Sequence, residues 1–215
     1  MDQRQITDLA ATIDPDLARR LDFLMEIDQL KSVLRRSLLI DGSRRENTAE
    51  HSWHLAMAAI VLAPHAGVDV DVMRAIEIVL VHDLVEIDAG DTYIYDTAGA
   101  ADKAEREERA AERLFALLPP DQAAHIDGLW REYEDRATPT ARFAYAIDRL
   151  QPVLLNAGSN GRSWQEHGIA HSQAAAMNAP IQEAAPPLWQ LVSAVLQGCA
   201  EEGLLVDDRL EPTGG

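Results

Sequence analysis

The chain has one cysteine, Cys199, so it forms no intrachain disulfide; in a C-terminal helical pattern that residue reads as a small apolar side chain. No apolar run approaches the ~18 residues of a membrane span and no secretory hydrophobic segment is present, which points to a soluble, cytoplasmic protein with no membrane partner. Alternating apolar–polar strand patterns, internal repeats and low-complexity linkers are missing. GxxxxGK[ST], GxSxG and HExxH do not occur, which removes the commonest nucleotide-loop, serine-hydrolase and zinc-protease readings. Positive charge is also scarce. With 19 Lys and Arg against 36 Asp and Glu, the net charge is −17, and a nucleic-acid backbone would find no basic face.

What remains is helix-forming. At 215 residues and 47% hydrophobic, the chain can bury one substantial core, expected as a single domain over 14–205 with flexible tails at 1–13 and 206–215. Asp14-Pro15 supplies an N-cap and a first-turn proline for a helix predicted to run to about Leu39. Asn47-Thr48-Ala49-Glu50 has the spacing of a capping box and opens a helix to Ala63. Further helices are predicted over about 69–89 (stopped at Gly90 by a left-handed cap), 101–118, 121–136, 139–157, 165–178 and 186–202, with Pro152 kinking the sixth and the tail from Asp207 frayed. The expected fold class is all-α.

The charge is unevenly placed. Residues 19–45 hold seven basic groups against four acidic ones, so this window is +3 and the remainder −20. A local basic strip on an acidic chain fits a small anion better than a polymer, although some of these residues belong to solvated helix faces.

The helix over 69–89 is apolar almost all round from Met73 to Ile87, which predicts burial, yet it carries His82 and Asp83 side by side. Burying an unpaired carboxylate costs several kcal/mol, so Asp83 needs a cation, a metal or several hydrogen bonds. At 100° per residue, Glu86 projects between His82 and Asp83, one turn on. Alone, the pair fits a neutral histidine bonded to a structural aspartate equally well. His51 lies on the same face as Leu55, Ala58 and Leu62, with His54 nearby, and Asp148 sits in the apolar helix over 139–157. Two imidazoles and two carboxylates suit a borderline divalent ion and leave positions open for water and substrate.

These residues carry a resemblance. His51…His82-Asp83…Asp148 resembles the H…HD…D signature of the HD-domain metal-dependent phosphohydrolases. Ala49-Glu50-His51-Ser52, His82-Asp83-Leu84-Val85-Glu86, Ala89-Gly90-Asp91, Leu129-Trp130-Arg131-Glu132-Tyr133-Glu134 and Ala146-Ile147-Asp148-Arg149-Leu150 are similar, in order and spacing, to the branch containing the 5′-deoxynucleotidases. The similarity spans roughly residues 24–156. It implies an HD-domain helical bundle with additional C-terminal helices, holding one divalent ion (Mn, Co, Fe, Ni, Zn or Mg) through His51, His82, Asp83 and Asp148. Glu86 and Asp91 are implied to orient the attacking water and handle protons. Lys31 and Arg35 lie where members carry basic residues that meet the substrate phosphate. The implied activity is phosphomonoester hydrolysis of nucleoside 5′-monophosphates or deoxynucleotides, in a homodimer. Alternatives are a non-catalytic nucleotide- or metal-binding protein, or a hydrolase of another small or more highly phosphorylated substrate.

One departure stands out. Relatives carry a tryptophan just after that arginine, beside the sugar, and here the chain reads Arg36-Ser37-Leu38, so a deoxyribose preference does not transfer. Only His125 lies between the HD pair and the final aspartate, which weighs against a second metal. Trp53, Trp130, Trp164 and Trp189 read as core or dimer contacts rather than base-stacking platforms.

Overall fold

The structure is a computed structural model and describes residues 1–96, 99 and 101–209; the tail from 210 lies outside the described residues. The first residues, treated above as a tail, form helix α1 (Gln3–Ile13), packed on α2 (Pro15–Glu26). Asp14 caps α2 as expected, its side chain accepting from the Asp16 N–H at 2.9 Å.

The helix predicted to Leu39 stops far earlier. Past Glu26 the chain tightens into a 3₁₀ turn, Ile27–Ser32, and then extends as β1 (Leu34–Leu38), which pairs antiparallel with β2 (Arg45–Asn47). The apolar residues that looked like one continuing stripe belong to a turn and a short ribbon, because cross-strand pairing around the Asp41-Gly42-Ser43 turn overrides local helix propensity. Lys31 and Arg35 are therefore not neighbours on one helix face.

Helix α3 (Thr48–Leu62) opens on the expected box: Asn47 Oδ1 accepts from Glu50 N–H at 2.9 Å, and Glu50 accepts in return from Asn47 N–H at 3.3 Å. The predicted helix over 69–89 is two pieces, α4 (Val72–Val81) and the single turn α5 (Glu86–Ala89). It is not buried all round either, since Met73 is 69% and Leu80 45% exposed. Between the pieces, Leu84 N–H reaches Val81 O and Glu86 N–H reaches Asp83 O, both at 3.0 Å, a three-residue spacing tighter than α.

Then follow α6 (Lys103–Phe115), α7 (Pro120–Asp135), α8 (Pro139–Gly158), α9 (Arg162–His167), α10 (His171–Asn178), α11 (Ile181–Ala184) and α12 (Pro186–Glu201). Thr138 caps α8, accepting from Ala141 N–H at 3.0 Å. Helix α8 is the hub: α3, α4, α7, α11 and α12 all pack on it, with Phe143, Ala144 and Ile147 fully enclosed. Pro152 is carried inside it. Apart from the β1–β2 ribbon and an isolated bridge between Ala170 and Val206, the described residues are helix and turn. None of their helices is long and apolar enough to cross a membrane.

Candidate active site

Three of these elements meet at one point: His51 from the first turns of α3, His82 and Asp83 from the tight turn after α4, and Asp148 from mid-α8. His51 is fully buried and His82 and Asp148 nearly so. Asp148 Oδ1 lies 3.0 Å from His51 Nε2 and 3.8 Å from His82 Nε2. Asp83 Oδ1 lies 3.1 Å from His82 Nε2, and its Oδ2 lies 3.7 Å from His51 Nε2. Facing atoms of His51, His82 and Asp83 fall within 4.8 Å of one another.

The far sides of both rings decide what faces inward. His82 Nδ1 is 2.9 Å from the Val79 carbonyl, which can only accept, so Nδ1 carries the proton. His51 Nδ1 is 3.1 Å from Gln151 Oε1. That amide is fixed the same way round, because Gln151 Nε2 donates to Glu46 Oε1 at 2.6 Å. In the neutral form, both histidines thus aim an Nε2 lone pair at two carboxylates. His82 Nε2 has no aligned hydrogen-bond partner among the described residues.

Lone pairs turned on carboxylates call for a positive charge between them. In the protein alone a proton meets the demand: burial disfavours the charged imidazole, but Asp83 and Asp148 outweigh it and raise His82 to about 10. Burial likewise works against an ionised Asp148, and the facing imidazoles of His51 and His82 still hold it well below the usual carboxylate range. With backbone and amide groups fixing the tautomers behind them, His51, His82 and Asp83 could hold one divalent ion, and Asp148 Oδ1 faces the same two imidazoles.

A cavity of about 290 Å³ opens above this cluster. Arg35 reaches into it from β1 and donates to Asp83 Oδ2 at 2.8 Å; its guanidinium is 3.9 Å from Asp91 and from Glu46. Glu86 is buried, accepting from the Thr48 hydroxyl at 2.9 Å. Burial, reinforced by Asp83 and Asp91 and opposed by Arg35, pushes the Glu86 carboxyl well above its ordinary range. Burial raises Asp91 too, against Arg35.

Of the sequence candidates, Arg35, His82, Asp83, Glu86, Asp91 and Asp148 line the cavity and His51 sits beneath it. Lys31 does not join them: it is two-thirds exposed and paired with Asp28. Other residues in the cluster escaped the sequence reading. Tyr133 donates from its hydroxyl to Asp148 Oδ2 at 2.7 Å, and Gln151 and Thr48 orient His51 and Glu86. Gln151, three residues past Asp148 on α8, was the one traceable by helical spacing.

A mostly helical scaffold turns two imidazoles and two carboxylates on one point, beneath a cavity holding arginines, a cluster that could hold a divalent ion. The family model described as HD domain matches residues 27–189, and the chain belongs to the HD-domain family. The match runs well past residue 156, into α12. A 5′-deoxynucleotidase of Bos taurus is 32% identical over 136 residues, covering 62% of this chain and 64% of that protein. A 5′-deoxynucleotidase of Homo sapiens is 30% identical over 135 residues, covering 62% and 65%. The chain thus spans a little under two thirds of these relatives' length. The crystal structure of a predicted metal-dependent phosphohydrolase from Magnetospirillum magnetotacticum MS-1 superposes with a TM-score of 0.85 at 48% identity, covering 88% of this chain and 95% of that one.

Proposed function

We propose that the protein is a metal-dependent phosphohydrolase that releases inorganic phosphate from nucleoside 5′-monophosphates, deoxynucleotides among them. The observation that carries this is the pair of Nε2 lone pairs turned on two carboxylates beneath a cavity that also holds Glu86, Asp91 and Arg35. A structural ion needs no further acids at its open side, and closed structural sites more often use cysteine. The relatives named as 5′-deoxynucleotidases support the same substrate class.

His51, His82, Asp83 and Asp148 would hold the ion, which when bound polarises a phosphoryl oxygen and lowers the pKa of its water. Arg35 supplies a fixed guanidinium for the phosphate oxygens. Glu86 and Asp91 line the cavity with Asp83, where one, as the carboxylate, would take the proton of the attacking water and the other, as the protonated acid, would give its proton to the departing 5′ oxygen. Five basic side chains stand among the acids that line the cavity, so a bound phosphate would meet cationic partners beside the ion.

The test is phosphate release across a panel of nucleotides with Mn, Co, Fe, Ni, Zn or Mg added to the metal-stripped protein. Stoichiometric ion binding without hydrolysis of any nucleotide or of p-nitrophenyl phosphate would favour the non-catalytic alternative instead. A homodimer belongs to the same reading; its candidate face is the exposed apolar row Trp53, Met57, Ile60 and Val61 on α3, tested by light scattering after chromatography.

A further inference from the structure

We propose that the end of the cavity away from the metal cluster recognises the base of the substrate, with Asn156 and Asn178 as acceptors for an exocyclic amino group. This rests on the nucleotidase reading and names the substrate class more closely.

Helix α8 lays one stripe along the cavity: Arg149, Pro152, Val153 and Asn156 all line it, at the i, i+3, i+4, i+7 spacing of a single face. Asp148, the ligand, adjoins one end of that stripe and Asn156 forms the other. Eight residues at 1.5 Å each separate them by about 12 Å. That is the scale of a nucleoside monophosphate from phosphorus to the far edge of its base. Between the ends, Pro152 and Val153 offer an apolar floor, and Tyr93 and Trp164 offer aromatic walls.

Groups buried on this lining without a hydrogen-bond partner among the described residues include the Tyr93 hydroxyl, which can donate or accept, and the Asn156 amide oxygen, which can only accept. Asn156 is 6% exposed; its Nδ2 donates to the Pro152 carbonyl at 2.8 Å, which fixes the amide and leaves Oδ1 buried with no hydrogen-bond partner. Asn178, from α10, lines the same cavity and is held in the same way, its Nδ2 donating to the Ala174 carbonyl at 2.8 Å. A buried acceptor left unpaired costs free energy, and a ligand N–H restores it while a ligand carbonyl does not. An amino group, as on cytosine or adenine, brings two such N–H donors; uracil and hypoxanthine present an oxygen at the same position.

The experiment is the ratio of kcat/KM for deoxycytidine over deoxyuridine 5′-monophosphate, and for the adenine over the hypoxanthine nucleotide. We expect the wild-type protein to prefer the amino-bearing member by roughly two- to tenfold, the range of one net hydrogen bond. Asn156→Leu should bring both ratios to about one, whereas Asn156→Asp, which keeps the acceptor, should retain a preference. If Asn156→Leu does not fold, Asn178→Leu reads the same ratio from a different helix. Equal turnover of amino and oxo nucleotides by the wild type, or ratios unchanged in the leucine variants, overturns the inference alone. A wild-type protein that hydrolyses no nucleotide but cleaves p-nitrophenyl phosphate overturns the nucleotidase reading and this inference with it.

Discussion

Glu86 is enclosed by Thr48, Asp83, Asp91 and Arg35, and that enclosure makes its carboxylate a better base and a poorer structural residue. In its proposed role, Glu86→Gln keeps the shape and the Thr48 hydrogen bond while removing basicity. The variant should retain its metal and lose turnover by ~10²–10⁴. Loss of metal in the same variant would make Glu86 a ligand instead. The stability effect has the opposite sign. Because the folded-state pKa is raised above the ordinary 4.5, the native state holds an extra proton above that pH, and stability falls as pH climbs through the window up to the folded pKa. Without metal, Glu86→Gln should therefore gain on the wild type in urea titrations as pH rises from about 5 to 8. His51, His82, Asp83 and Asp148 were legible as single residues because a polar group on an apolar helix face needs a partner. The roles of Tyr133 and Thr48 were not, since each comes from a neighbour distant in sequence, and Gln151 was traceable only through its helical spacing from Asp148.

At the scale of elements, the break at 82–85 is what the helical wheel missed. A continuous helix would separate His82 from Asp83 by 100°, whereas three-residue spacing turns nearer 120° per residue and resets everything after it. The apolar run Val79–Val81 and Leu84-Val85 reads as one helix because an almost unbroken apolar sequence leaves no periodicity to mark the break. The same blindness turned 27–38 into helix and placed Lys31 beside Arg35. Gly90 ends α5 with φ +74° and ψ 152°, outside the left-handed cap region that was expected and accessible to glycine at little cost. Nothing lies within 4 Å of an added Cβ there. Any loss in Gly90→Ala is thus backbone strain, expected at about 1–3 kcal/mol, and the next residue is Asp91, so activity should fall as well. Gly128, inside α7 and equally open, is the control. Gly128→Ala should stabilise by about 0.5–1 kcal/mol, with activity unchanged. Thermal melts of the pair decide it: equal shifts would show that Gly90 carries no strain.

For the molecule as a whole, the net charge of −17 and the acidic cluster raise the same question of what neutralises negative charge where the elements converge. Arg35 answers in part, standing within 4.0 Å of Glu46, Asp83, Asp91 and Asp148. The proposed ion would answer the rest by tying α3, the turn after α4 and α8 together across 97 residues of sequence between His51 and Asp148. A ligand that binds the folded state and not the unfolded one stabilises by mass action, ~2.7 kcal/mol when present at a hundred times its dissociation constant. The melting temperature of the wild type should therefore rise steadily with the concentration of the preferred ion and fall on chelation. Asp148→Asn keeps the volume and the hydrogen-bonding capacity but removes the charge the ion needs. It should melt below the metal-free wild type, because the folded protein favours the ionised carboxylate, and respond little to added ion. Arg35→Ala should do the reverse: it leaves the carboxylates facing one another, so the metal-free protein should lose stability by several kcal/mol, and added ion should recover much of that loss. A melting temperature indifferent to every ion, or an identical ion response in Asp148→Asn, would mean that protons alone balance this cluster.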